Sequence, residues 1–403
     1  MTDDGDALIG RALTDCVRQM PSNAMQEVVD RGLLPRLVEA GRYHRVLNMV
    51  HLAVRDLPAA DAELKAALNR YYLHQIGHHL RALADLGSLS DVFSEHAVPW
   101  LLVKGPVLSE CVYERPDLRV YNDLDVVIDR EAFPEAIDVL EAAGFTLLDR
   151  NWDLIRRERR AQLHVSLALG TVGDVHHHLL NRATVRGSLS LPMEELFERA
   201  RTVDLGNVQV RTLEPVDTLL HLCIHAGLAG GDRLLWMKDV EQALRSRSLP
   251  WDQIIGRAHR WRAGPLVALV LRRARSEIGA QVPDNVVESL FRSRSRSALS
   301  AGIDRAWPAS RSRGRVTPSI VWAQVVRDRW TTTIDAFVRR AIRRLRKTTH
   351  RGEEEDWQHP VGDGHGPDDE AEERSRYLHE VTDPRRSAGG PTDKEDPSPP
   401  GPQ

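Results

Sequence analysis

Two aspartates one residue apart, Asp123 and Asp125, lead into an apolar run, Val126-Val127-Ile128. Side chains alternate along a strand with period two, so both carboxylates project from one face. Held that close, they repel unless a cation lies between them. Carboxylate-rich, all-oxygen sites suit Mg²⁺ or Mn²⁺, and Mg²⁺ held by one or two carboxylates typically serves substrate phosphates. Upstream, Leu101-Leu102-Val103 ends in Lys104-Gly105-Pro106. A glycine at a strand exit lets backbone N–H groups approach such phosphates. The chemistry indicated is metal-assisted phosphoryl or nucleotidyl transfer.

Order separates the alternatives. In a haloacid-dehalogenase-type phosphatase or a nucleotide-sugar glycosyltransferase the apolar strand would precede the aspartate pair. Here Arg119-Val120-Tyr121-Asn122 precedes it and the strand follows, the order of a nucleotidyltransferase. A two-metal site needs a third carboxylate, usually from a neighbouring strand. Asp174 fits, at the start of a strand after a Gly-containing turn; the competing reading is a turn aspartate capping Val172-Gly173. Of His176, His177 and His178, only the first and last share a strand face, and no cysteine lies near enough to complete a zinc site. A histidine on the face of Asp174 is expected to orient it or contact phosphate. His221 and His225 fall four apart on a helix without the Glu of a metalloprotease, which favours a packing role. Asp239 reads as structural.

The elements that must position these groups follow from periodicity. Residues 1–98 read as helical, with apolar positions from Leu64 to Leu86 at helical spacing after Asp61 as N-cap, and a break at Val98-Pro99. Short β-like runs follow: Trp100–Val103, Leu124–Ile128, Phe145–Leu148, Leu163–Leu169, Val175–Leu179 and, later, Val208–Leu213. A helix from Phe133 to Ala143 stops at Gly144, and further helices span Glu214–Leu228, Leu234–Leu244, Ile254–Trp261 and Leu266–Ile278. The alternation means an α+β or α/β core over residues 99–213, with a C-terminal helical region over 214–350.

The 403 residues can bury a large core, and a net charge of −3 gives no global polycation for nucleic acid. Cys16, Cys111 and Cys223 are far apart, which suits a reducing compartment. The acidic start MTDDGDALIG lacks a signal peptide's basic residues, and no apolar run approaches the roughly 18 residues of a membrane span. A cytoplasmic protein is expected. Ile320–Lys347 reads as a helix with a basic end; the stretch 334–347 could meet an acidic or anionic partner, or pair with the acidic tail behind it. Residues 351–403, rich in charge, proline and glycine, are predicted to be a disordered tail.

With these residues in view, the chain resembles the uncharacterised bacterial nucleotidyltransferases of the DNA polymerase β-like superfamily over about residues 64–245. Carrying the resemblance are Leu101–Gly105, Arg119, Asp123-Leu124-Asp125 and Asp174-Val175-His176, then Glu214–Asp217, His221–Ala226 and Trp236–Asp239, in that order. It implies a small mixed sheet bearing three metal-binding aspartates, Asp123, Asp125 and Asp174, flanked by helices. It implies Mg²⁺-dependent transfer of a nucleoside monophosphate from an NTP, with ATP the expected donor, to an unknown acceptor. One departure stands out: the superfamily usually has Gly-Ser after the first strand, and Lys104-Gly105-Pro106 occupies that place. Phosphate contacts then fall to Gly105, helix-start amides, Lys104 and Arg119, with a salt bridge to Asp117 as the other reading of Arg119. Two further function classes stay open, a catalytically silent nucleotide-binding adaptor and an antitoxin-like enzyme that modifies a partner protein.

Overall fold

The apolar run Trp100–Val103 forms β1, as its composition predicts, in a computed structural model that describes residues 4–291, 293–313 and 367–383. A five-stranded mixed sheet is built in the order β1-β2-β5-β4-β3, from β1, β2 (Asp123–Ile128), β3 (Thr146–Leu147), β4 (Gln162–Ser166) and β5 (Val172–His176). β2 runs antiparallel to β1 and parallel to β5; β4 runs antiparallel to both β5 and β3. A separate hairpin joins β6 (Arg201–Leu205) to β7 (Val208–Thr212).

Alternation along β2 explains what covers each face. Leu124, Val126 and Ile128 point to the back with Trp100, Leu102, Leu163, Val165 and Val175, into one apolar cluster. Asp123, Asp125 and Val127 point to the front, where Val127, Leu101 and Val103 join a second cluster. The helices of the N-terminal region are α1 (Asp4–Arg18), α2 (Asn23–Asp30), α3 (Leu34–Tyr43), α4 (Leu47–Arg55) and the 34-residue α5 (Ala62–Glu95). Asp61 caps α5 by accepting from the Leu64 N–H, as its position predicts. At 1.5 Å per residue α5 is about 50 Å long, so its start (Leu68) packs in the front cluster and its end (Leu86, Leu89, Phe93) in the back one.

Within the core come α6 (Gly105–Cys111), α7 (Phe133–Ala142), α8 (Trp152–Arg157), α9 (Ala183–Arg186) and α10 (Met193–Glu198). After the hairpin, α11 (Pro215–Leu228), α12 (Leu234–Ser246), α13 (Trp251–Arg260), α14 (Gly264–Ile278), α15 (Asp284–Leu290) and α16 (Arg294–Ala306) follow. Leu219, Leu220, Val240, Val267 and Leu271 from this group share the front cluster with Leu37 and Val50 of the N-terminal helices. No helix among the described residues is long and apolar enough to cross a membrane.

Two expectations change. Sequence places Asp174 at the start of a strand behind a Gly173 turn, whereas β5 begins at Val172 and puts Asp174 at its centre. The turn lies earlier, at Gly170 (φ +86°), and the buried Asp85 of α5 fastens it by accepting from the N–H groups of Leu169 and Thr171 at 2.7 and 3.0 Å. The second concerns the predicted disordered stretch 351–403. Its described part forms a helix, α17 (Pro367–Thr382). Tyr377, Leu378 and Val381 of α17 are buried in the back cluster beside α7 and α8. The Tyr377 hydroxyl donates to the Arg160 carbonyl at 3.0 Å, and Arg156 pairs with Glu373 at 2.6 Å. Spacing of i, i+1 and i+4 puts those three apolar residues on one side of a helix that is otherwise charged. Tyr377→Ala is therefore expected to cost about 3 kcal/mol, read by urea denaturation; an unchanged midpoint would mean that α17 adds nothing to the core. The basic stretch 334–347 lies outside the described residues.

Candidate active site

Strand register assembles the acid cluster. Asp125 of β2 stands opposite Asp174 of β5, Val127 opposite His176, and on the other side Asp174 faces His164 of β4. Direct partners share a sheet face, so Asp123, Asp125, Asp174 and His176 all emerge at the front. One ligand atom each from Asp125, Asp174 and His176 falls within 4.8 Å of the others. Asp123 lies outside that trio, yet its charge acts on Asp125's neighbour Asp174 and is acted on by Asp125.

The electrostatics are those of crowded, largely buried carboxylates. Burial and the Asp125 charge push the Asp123 carboxyl up, against the pull of Lys104, Arg45 and Arg119. Burial likewise pushes Asp174 up to about 6, with His176 and His164 opposing and Asp125 and Asp123 adding to it. Burial also works against ionised Asp125, but Lys104 and then His176 outweigh it and hold that carboxyl well below the usual range. The Lys104 Nζ is 2.9 Å from Asp125 Oδ1, and both side chains are nearly enclosed. His176 Nε2 lies 3.6 Å from the same oxygen, too long for a hydrogen bond. Neither ring nitrogen of buried His176 has a hydrogen-bond partner among the described residues. Closely set carboxylates of opposite tendency beside an orphaned imidazole are a donor set that a divalent ion would satisfy.

Lys104 sits in a sparsely populated backbone region, φ 56° and ψ −135°, and Gly105 follows at φ +37°. Left-handed backbone at a non-glycine residue costs about 1–2 kcal/mol. What the turn achieves is to carry the ammonium back over Asp125. A Cβ on Gly105 would meet the Asp123 carbonyl at 3.5 Å, so the turn lies against the start of β2.

Arg119 does not pair with Asp117, which bonds Arg115 and Tyr72 instead. Its partner is Asp239 of α12, with Nε and Nη2 donating at 2.9 and 3.2 Å, while Nη1 donates to the Gly105 carbonyl at 3.3 Å. The Tyr113 hydroxyl also donates to Asp239, at 2.7 Å. Asp239 is thus structural, as its sequence context suggests, and Arg119 ties α12 to the Lys104-Gly105 turn.

Only His176 of the histidine run reaches the acids. His177 is packed edge-on to Phe133, and His178 Nδ1 accepts from the Leu180 N–H. His221 and His225 stand side by side on α11, the first buried and the second half-buried. Burial and then the Lys104 charge push His221 down to about 3, and the Lys104 charge, ahead of burial, pushes His225 well down. Sequence reasoning missed Gln162 and His164. Gln162 donates to Asp174 Oδ2 at 2.6 Å. His164 Nδ1 sits 3.0 Å from the buried Asp149, which raises its pKa, and its Nε2 is 3.7 Å from Asp174. Alternation of polar side chains along Gln162-Leu163-His164-Val165-Ser166 was the available signal.

The profile of the uncharacterised nucleotidyltransferase family matches residues 34–279, more than half of the chain. The chain belongs to that family. Family membership places it in the polymerase β-like nucleotidyltransferase superfamily, and the fold is the expected α+β one, a small mixed sheet flanked by helical regions. No curated protein matches the chain. The family's matched span opens at α3 and closes after α14, so helices on both sides of the sheet belong to the unit that it describes.

Proposed function

We propose that this nucleotidyltransferase moves a nucleoside monophosphate from an NTP to a hydroxyl of a small-molecule, peptide or protein acceptor. The observation that carries the reading is the register of β2 on β5, which sets Asp125 opposite Asp174 with His176 beside them. In the reaction the acceptor oxygen forms a bond to the α-phosphorus and the α–β phosphoanhydride bond breaks. Pyrophosphate leaves with its electron pair, and the acceptor proton passes to Asp174 or to water. Asp123, Asp125 and Asp174, with His176 at the edge, would hold Mg²⁺ or Mn²⁺. That ion would supply neutralisation of phosphate charge and a lowered pKa for the attacking hydroxyl. Lys104, released from Asp125, would meet the triphosphate, and Gly105 would let the backbone approach it. Such a donor and metal suit the cytoplasm.

Titration calorimetry with non-hydrolysable ATP, GTP, CTP and UTP analogues, with and without Mg²⁺, tests this. Mg²⁺-dependent binding of at least one analogue at pH 7.5 is expected. Because Asp174 holds a proton up to about pH 6, the cation must displace it in acid. The metal-dependent affinity should then fall roughly tenfold between pH 7 and pH 5. No nucleotide bound at either pH would end the proposal. The Lys104 ammonium already neutralising Asp125 favours one competing reading, a silent nucleotide-binding module. Binding with no pyrophosphate released toward any acceptor would support it.

A further inference from the structure

Two of the cations near the acid cluster are already held by acids. Lys104 is paired with Asp125 and Arg119 with Asp239. Arg45 is different: it is exposed at the turn between α3 and α4, and its guanidinium makes no hydrogen bond or ion pair among the described residues. It stands close enough to Asp123 for each charge to act on the other. The turn is anchored, not free. The His44 carbonyl accepts from the Leu235 N–H and His44 Nδ1 from the Leu234 N–H, both at 3.3 Å, which locks the end of α3 onto the start of α12. Arg233, directly before α12, lies over the rings of Trp236 and Tyr43 at 5.1 and 5.6 Å and also has no acid partner among the described residues. The rings of Trp236 and His225 meet at right angles, and the Lys104 charge acts on that imidazole. Asn48 of α4 and Tyr72 of α5 each bond Asp117, fastening the N-terminal helices to the loop before Arg119.

We propose that Arg45, with Arg233 behind it, binds the polyphosphate of the NTP donor at the rim of the acid cluster. The assignment rests on the nucleotidyltransferase reading and gives the N-terminal helices a task in it. A magnesium-bound triphosphate keeps net negative charge, and the Lys104-Gly105-Pro106 turn offers no hydroxyl to hold it. A guanidinium at this anchored turn supplies paired donors in a fixed fork.

Backbone conformation provides a clean variant. Arg45 occupies the left-handed position that ends a helix, φ 56°, where glycine is the usual residue. Arg45→Gly should therefore fold at least as well while losing the cation. Calorimetry on the full chain with Mg²⁺ would use tripolyphosphate, which is blind to base preference, beside α,β-methylene ATP and AMP. Arg45→Gly is expected to weaken tripolyphosphate and the triphosphate analogue about tenfold or more, to leave AMP within about twofold, and to melt no earlier than wild type. Arg45→Lys should regain part of the loss. Wild-type affinity for tripolyphosphate in Arg45→Gly would overturn the assignment, as would an equal loss for AMP and the triphosphate analogue, or an effect confined to the acceptor. If the wild-type protein bound no triphosphate at all, the nucleotidyltransferase reading would fail first and take this one with it.

Discussion

Asp125→Asn is expected to lower nucleotidyl transfer by about 10³-fold or more, roughly 4 kcal/mol of transition-state stabilisation. Asparagine keeps the shape of the side chain and removes the charge that a divalent ion needs. The position is central: Asp125 faces Asp174 across β2 and β5, and Lys104 and His176 converge on its Oδ1. Removing that charge also strands the Lys104 ammonium, whose side chain is 12% exposed. Breaking a nearly enclosed pair on one side costs about 3 kcal/mol, so the single variant should melt early as well as lose activity. Lys104→Met with Asp125→Asn separates the two effects, because it removes both charges together. The double variant is expected to regain most of the lost stability and none of the lost transfer. Pyrophosphate release measured beside thermal melts decides the matter. Undiminished transfer in the single variant would remove Asp125 from the chemistry.

How much of this was legible in the sequence depended on how local the determining contacts are. β1 and β2 were readable because an apolar run between breakers leaves few alternatives, and Asp123 and Asp125 share a face for the same local reason. Helices α5, α7, α11 and α14 announced themselves through period and caps. The place of Asp174 within β5 was not readable. It follows from parallel pairing with a strand some 50 residues earlier and from Asp85 of α5 seizing the preceding turn. Likewise sequence offered Arg119 either the triphosphate or the nearby Asp117, whereas the acid that it pairs with is 120 positions away on α12. α17 shows the opposite failure. Average composition overruled three apolar residues whose spacing was already helical, and a core lacking a cover made use of them. Arg45 carried no signal in sequence, since a lone arginine in a helical region is ordinarily solvated.

Arg119→Met should be the most destabilising single change near the site, costing about 3–5 kcal/mol. The side chains of Arg119 and Asp239 are 6% and 3% exposed. Loss of the guanidinium would leave Asp239 with Tyr113 as its remaining donor and the Gly105 carbonyl without the 3.3 Å bond from Arg119. Arg119→Met with Asp239→Asn removes the uncompensated charge and is expected to recover more than half of the lost stability, as buried pairs replaced on both sides commonly do. The same double variant asks what Arg119 does for a nucleotide. Its donors are committed to Asp239 and Gly105, so its effect on the triphosphate should run through the placement of the Lys104-Gly105 turn. Tripolyphosphate affinity in the stability-restored double variant should then stay within about threefold of wild type, well short of the loss expected for Arg45→Gly. A Tm unmoved by Arg119→Met would contradict the buried pair. A tenfold loss of tripolyphosphate in the double variant would instead put the guanidinium on the phosphates. The two substitutions thus distinguish an arginine that holds the site together from one that holds its substrate.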